Sequence, residues 1–568
     1  MHLRATSSII ALLATATPVL ADVTPAEVWQ SWSEYYKASG YTVTEGSRQE
    51  TGDNLVLNDV VLTMDTPELD LDVSFPQITL AAMGDGRVRT TTGDESKVKA
   101  IAHDEGTGDV TIDMTIAHPG TEVISSGTAA DLTSATKAPT LKINLDNVVT
   151  QDETFANLGA LTLTDMTLTE HVVQGDPLKV DVEGATARAE LVLNAEGKEE
   201  AGGDYKVAGN LVIDSIKTNG SFALPANAMA DEDMAKALRA GMKLAGNIQI
   251  GPMTGGFDGS GTDAEGEAST GAMKADAKGI TLDFDMSQAG LNYQVDSDAS
   301  NFEITSSDMP MPISYGVESS SASLQMPVSA QEEPQPFKVN YSIAGLTLGD
   351  AIWDMFDKEK VLSRDPASLD IDLTGNLRVK QDLFDPALME TAENAAEAPA
   401  ETPADGAAPT DGTAPADGTA PADGTAPTDG TAPADGAAPT DGTAPADGAE
   451  ATETAAEEMP SPFEPIDFTI NQFALSGAGA NITASGTLAA SGEAGMETPV
   501  GQINARGEGV NGLLDNLVKI GVVPAEQIQG VRMMMAMFTK AGDTPDSLTM
   551  DIEFREGGSI FANGQQVK

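Results

Sequence analysis

The sequence predicts a mainly β protein with a few α-helices: a large curved antiparallel sheet of meander units, short helices packed on it, and a long disordered acidic insertion. Three observations predict it. Apolar and polar residues alternate with a period of two along most of the chain, as strands with one dry face and one wet face require. Clusters of Gly, Asp and Asn, such as Gly84-Asp85-Gly86, interrupt the alternation as hairpins and meanders demand. Between about residues 386 and 464 the composition falls to Ala, Pro, Thr, Asp, Glu and Gly.

In chain order, the first element is an export signal. A short polar start with His2 and Arg4 precedes an apolar stretch from Ile9 to Leu20, and Val19-Leu20-Ala21 offers the small residue that a signal peptidase needs. Cleavage is expected after Ala21, so residues 1–21 are read as a signal peptide and the protein as periplasmic. The apolar run is short against the roughly 20 residues of a membrane crossing. Next comes a helix. Thr24 can cap it, Pro25 suits its first position and Glu27 completes a capping box. Val28, Trp29, Trp32, Tyr35 and Tyr36 form its apolar stripe and Gly40 ends it; that spacing favours docking against a sheet over ligand binding.

From Tyr41 a β-rich region is expected, running to about residue 385. Leu69–Phe75, Val110–Ile116, Leu141–Leu145, Leu178–Val182, Ile280–Met286, Leu291–Val295, Val339–Ile343 and Leu369–Leu373 all alternate. Helices are expected at about Ala226–Leu244 and Asp350–Lys358. The 386–464 segment repeats Asp-Gly every six residues from Asp405 to Asp447. Its rungs offer only Ala, so it reads as an extended acidic linker rather than a β-helix. Residues 465–568 are expected to complete the sheet. They add two helices, one through Leu513, Leu517 and Ile520 that stops at Gly521, the other from Pro524 through Ile528, Val531, Met535 and Phe538. A last hairpin turns at Gly557-Gly558. Leu55–Leu62 and Leu161–Leu168 place apolar residues identically around an Asp, a weak internal repeat.

Composition bounds the chemistry. With 40% apolar residues but only 4% aromatics in 568, the core must come from Leu, Ile, Val, Met and Ala. The 88 acidic against 31 basic residues give a formal charge of -57, which repels nucleic acid and anionic headgroups and favours solubility. Cysteine is absent, which removes disulfides, thiolate sites and a lipidated anchor.

Motifs add little. Of the four histidines, His103, His118 and His171 stand far apart, a poor start for a three-His metal site. Ser134-Ala135-Thr136-Lys137 has the Ser-x-x-Lys spacing of penicillin-recognising enzymes without the partner Lys-Thr-Gly element. Gly255–Asp263 resembles a calcium loop but lacks a terminal Glu, so it reads as an acidic loop. Met533, Met534, Met535 and Met537 suit soft copper(I), yet on a helix they point different ways, and core packing is the preferred reading. No catalytic, cofactor or metal residue is assigned.

Gly345–Trp353, Arg364-Asp365-Pro366-Ala367, Gly479–Gly486 and Asn563-Gly564-Gln565 resemble an uncharacterised family of alphaproteobacterial exported proteins, domain of unknown function 2125. The resemblance takes in nearly all of the chain beyond the signal except the Asp-Gly linker; it implies an envelope location and supplies no activity. In strand rhythm alone the chain is also similar to AsmA-like envelope proteins with long β-sheets implicated in lipid handling. The resulting expectation is a non-enzymatic envelope protein contacting lipid or an envelope partner through an apolar sheet face. The alternatives are an outer-membrane β-barrel or adhesin-like surface protein, and a hydrolase with a dispersed site.

Overall fold

The structure, a computed structural model, describes residues 22–103, 108–150, 154–198, 203–226, 233–263, 266–388, 461–491 and 496–568. The expected signal and most of the 386–464 segment lie outside the described residues. Helix α1 (Pro25–Ala38) opens the described chain with the capping box the sequence predicts: the Thr24 hydroxyl accepts from the Glu27 N–H at 3.3 Å, and Glu27 accepts from the Thr24 N–H at 2.8 Å. The hydrogen bonds from Thr24 hold the Glu27 carboxyl below the usual carboxylate range.

The strands form one antiparallel sheet with a simple logic. β1 (Thr42–Thr51), β2 (Asn54–Asp65) and β3 (Leu69–Ala82) meander. The next two rows are split. β4 (Val88–Thr92) and β5 (Glu95–Ala102) pair with opposite ends of β3, β6 (Val110–Ala117) pairs with β5, and β7 (Glu122–Thr128) pairs with β4. The long β8 (Asp131–Val149) then pairs with both β6 and β7 and heals the split. Three more long strands follow: β9 (Thr154–Val173), β10 (Leu178–Lys198) and β11 (Asp204–Leu224).

The same device then recurs on a larger scale. β12 (Lys243–Ile250) and β13 (Met253–Thr262) share β11. One half-row continues through β15 (Ile280–Ser287), β16 (Gly290–Ser297) and β19 (Ser319–Met326). The other continues through β14 (Ala268–Ala277), β17 (Ser300–Ser306) and β18 (Ile313–Val317). Both halves rejoin on β20 (Gln335–Leu348). β21 (Ala367–Val379) and β22 (Phe463–Gly477) pair directly, so the strands on either side of the acidic segment are neighbours. β23 (Ala480–Ala489), β24 (Val500–Glu508), β25 (Lys540–Ala541), β26 (Ser547–Arg555), β27 (Ser559–Ala562) and β28 (Gln565–Gln566) complete the order.

Four expectations are corrected. The helix expected over Ala226–Leu244 is, among the described residues, the short α2 (Met234–Arg239); Gly241, at φ 103°, turns the chain and Lys243 already belongs to β12. Gly255–Thr262, read as an acidic loop, lies in β13. Its glycines are extended, and Gly255 and Gly256 pair with Leu211 and Asn210 of β11. Phe463 and Glu464, assigned to the linker, begin β22. In α5 (Ala525–Phe538), Ile528 is buried and Met535 and Phe538 are half-buried, but Val531 faces solvent. Met533, Met534 and Met537 are 72%, 59% and 58% exposed, so these three do not fill a core. Helices α3 (Asp350–Phe356) and α4 (Val510–Lys519) fall where the sequence places them.

The core sits beneath α1. Val28 and Trp29 pack with Leu55, Leu57, Val60, Ile78, Leu80, Val88 and Leu132 in one buried cluster. Fully burying a leucine stabilises by about 1.5–3 kcal/mol, so Leu55, Leu57 and Leu80 alone make this the best-anchored part of the sheet.

Candidate functional site: a cavity roofed by the first helix

The internal repeat read from the sequence has a structural cause. In β2 the buried positions are 55 and 57, then 60 and 62, so the alternation slips by one residue at Asp59. In β9 Leu161 and Leu163 stand before Asp165, with Met166 and Leu168 after it. Both aspartates take the left-handed backbone at φ 51°, and the pairing skips both. Each is a left-handed kink, with one residue opposite it and the register unchanged, that returns the apolar residues beyond it to the inner face, and Asp tolerates that backbone where a β-branched residue does not. The partner strands are fitted to the kinks. A Cβ on Gly46 of β1 would lie 2.8 Å from the Asp59 Cβ. Pro139, unpaired opposite Asp165, has no N–H to leave unsatisfied.

The two kinked strands are side walls of a cavity of about 520 Å³. Val60 and Leu62 of β2 face it from one side and Met166, Glu170 and Val172 of β9 from the other. Phe75, Ile78, Ile116, Val123 and Leu141 form the floor, and Trp29, Trp32, Tyr35 and Tyr36 of α1 form the roof. The sheet curls to make this possible. The Trp29 indole N–H donates to Glu45 of β1 at 2.6 Å, and the Trp32 indole N–H to Ser134 of β8 at 3.4 Å. Five strand steps separate β1 from β8, roughly 24 Å in a flat sheet. Side chains at i and i+3 leave a helix side by side; both bonds form because the sheet wraps around α1.

Ser, Thr, His and Glu side chains share the lining with the apolar ones. His118, 7% exposed, puts Nε2 2.8 Å from the Ser96 Oγ and Nδ1 3.3 Å from the Thr92 Oγ1. Thr90 and Thr121 also line the cavity, and each has a buried hydroxyl oxygen without a partner. Glu170 is the one carboxylate among the lining residues, and no Lys or Arg accompanies it. Burial pushes its pKa up. Burial, with the Glu170 charge next, also raises the Tyr35 phenol and pushes that of Tyr36 up to about 12.

The Ser96–His118 pair has the spacing of a nucleophile and its base. The second imidazole nitrogen meets a hydroxyl rather than a carboxylate, however, and both residues are buried. This arrangement fits a cross-strand tie better than a hydrolytic centre. Sequence reading missed Glu170, Ser96 and His118 as a group because β9, β5 and the β6–β7 turn meet only in the folded sheet.

The other sequence candidates are dispersed. His103 lies between Asp70 and Asp109, and His171 lies against Asp131 and Asp181, so the histidines do not converge. Ser134 is on a strand, and Lys137, three residues on, points to the opposite, exposed face. No group of three or more His, Cys, Asp or Glu poised to hold a metal ion is present among the described residues. Another cavity, of about 300 Å³, lies beside Trp353, lined by Leu346, Leu348, Leu475, Ile482 and Leu513, with Arg364 among its lining residues.

A family described as an uncharacterized protein conserved in bacteria, domain of unknown function 2125, matches residues 366–561. The match is narrower than the resemblance read from the sequence: Gly345–Trp353 falls before it, and so do α1 and the larger cavity. No curated protein matches the chain, and no solved structure does. No helix among the described residues is long and apolar enough to cross a membrane.

Proposed function

We propose that this is a non-enzymatic protein of the bacterial envelope, exported past the inner membrane, that holds the hydrocarbon chain of a lipid in the cavity beneath α1. The observation that carries the reading is the cavity itself: about 520 Å³, walled mainly by aliphatic and aromatic side chains, together with hydroxyls, one imidazole and one carboxylate. Small-molecule sites have this size and this balance of apolar wall to oriented polar group. It is also a more definite feature than a bare sheet face, because helix and walls enclose the ligand from several sides.

The pairing order supports this reading over a membrane barrel. Among the described residues β1 pairs only with β2 and β28 only with β27, whereas a barrel joins its first strand to its last. The hydrolase reading finds its best residues in Ser96 and His118, and Ser96→Ala tests it. Hydrolysis of a p-nitrophenyl acyl ester by the native protein, lost in that variant, would replace binding with catalysis.

The direct test is to purify the protein from its native envelope without detergent and analyse an organic extract by mass spectrometry. A stoichiometric acyl lipid is expected, together with recovery in the soluble periplasmic fraction. Delipidated protein that takes up no fluorescent fatty-acyl probe, from preparations free of co-purified lipid, contradicts the reading.

A further inference from the structure

We propose that the end of the cavity formed by Glu170, Trp32, Tyr35 and Tyr36 receives a positively charged ammonium head, so that the preferred ligand is a cationic, amine-bearing amphiphile rather than a fatty acid. The inference rests on the cavity reading and adds the chemistry of the head group.

Glu170 is a charge in an apolar place. It is mostly buried, no hydrogen bond or ion pair to it is found among the described residues, and the lining holds no cation to balance it. An unpaired carboxylate in such surroundings costs several kcal/mol unless it is neutralised or meets a counter-charge. The same fold keeps its other enclosed carboxylates satisfied: Asp357 accepts from the Val361 and Leu362 N–H groups, and Asp382 meets Arg239. Glu170 is therefore a local exception, and it is an exception inside a cavity.

Its neighbours are suited to a cation. Glu170 pairs across the strands with Ser134, whose hydroxyl receives the Trp32 indole, so the indole lies one cross-strand step away. Tyr35 and Tyr36 stand beside one another, ring centroids 5.7 Å apart, and line the same end. Aromatic faces grouped around a carboxylate attract ammonium ions through the ring quadrupole and the charge together. The chain's formal charge of -57 acts in the same direction, drawing cations and repelling anionic heads. Thr90, 1% exposed with an unpartnered hydroxyl oxygen, leaves a second place for a hydrogen-bonding group along the chain of the ligand.

The test compares three heads on one tail. Dodecyltrimethylammonium, dodecanol and dodecanoate, each below its micelle concentration, compete against N-phenylnaphthylamine bound to the full chain. The ammonium is expected to displace the probe at about one-tenth the concentration of the alcohol, and the carboxylate to be weakest. Glu170→Gln is expected to remove the advantage of the ammonium over dodecanol. Retained dodecanol binding shows that the variant is folded; should it be lost, the order of the three heads on the native protein decides alone. Dodecanoate binding as well as the ammonium, or an ammonium advantage that survives Glu170→Gln, overturns the head-group assignment while leaving the cavity reading intact. Failure of all three heads to bind overturns both.

Discussion

The first nine strands and the last seven belong to one sheet, yet they use their helices differently. In the first region α1 is sunk into the curl of the sheet: Val28 and Trp29 are buried and Trp32 reaches across to β8. In the last region α4 buries no residue and α5 buries only Ile528, while the Met533, Met534 and Met537 side chains stand in solvent. The difference comes from the walls. Left-handed kinks at Asp59 and Asp165 keep apolar residues on the inner face for the length of β2 and β9, whereas the C-terminal strands carry small residues, as in Ala480–Ala489. Deep walls, each kinked at one Asp, both hold a helix and leave room beneath it.

The largest expected effect separates the two helices. Trp29→Ala removes a buried indole and its bond to Glu45 and is expected to cost about 3–5 kcal/mol in equilibrium denaturation. Met533→Ala together with Met534→Ala, at the surface of α5, is expected to stay within about 0.5 kcal/mol. Comparable losses at both sites would erase the contrast.

The left-handed kinks come next. Asp59→Val and Asp165→Val each force a β-branched residue into the left-handed region and are expected to destabilise by about 1–2 kcal/mol. Asp→Gly at the same sites keeps the backbone accessible and is expected to cost less than the valine. Equal losses for Gly and Val would mean that the carboxylates, not the left-handed kinks, matter.

A smaller effect concerns pH. Burial raises the Glu170 pKa above the ordinary 4.5, so at pH values between the unfolded and native pKa the native state keeps a proton that the unfolded chain has released. Its protonation supports stability fully below the unfolded value, and that support is lost as pH rises through the native one. Glu170→Gln is therefore expected to make the unliganded protein more stable near neutral pH and to flatten this part of its pH profile. A variant less stable than the native protein at neutral pH would show that the carboxylate has a stabilising partner.

Much of this architecture was legible in the residues. Leu69–Phe75, Val110–Ile116 and Ile280–Met286 alternate because each has one inner face, and Thr24-Pro25-Ala26-Glu27 announces α1 through local capping chemistry alone. The Leu55 and Leu161 frames were visible as a repeat, but a period-two pattern interrupted by an Asp does not say that the Asp turns left-handed. Met242 and Leu244 fit a helical stripe and a strand equally well; Gly241 decides between them. The site was the least legible part. The aromatic stripe of α1 was read as plain docking, and the same rings that dock also roof a cavity. Glu170 and His118 lie 52 positions apart, on rows that become neighbours only once the split strands β4 to β7 have been laid down.

The central claim is that the space under α1 is a binding site, and filling it is the most direct test. Leu141→Trp and Met166→Trp place an indole in the cavity from its floor and from one wall. Titration of the delipidated protein with a fluorescent fatty-acyl probe should show saturable binding to the native chain and a loss of at least about tenfold in affinity in both variants. Unchanged binding in two variants that remain folded would place the ligand elsewhere and contradict the account.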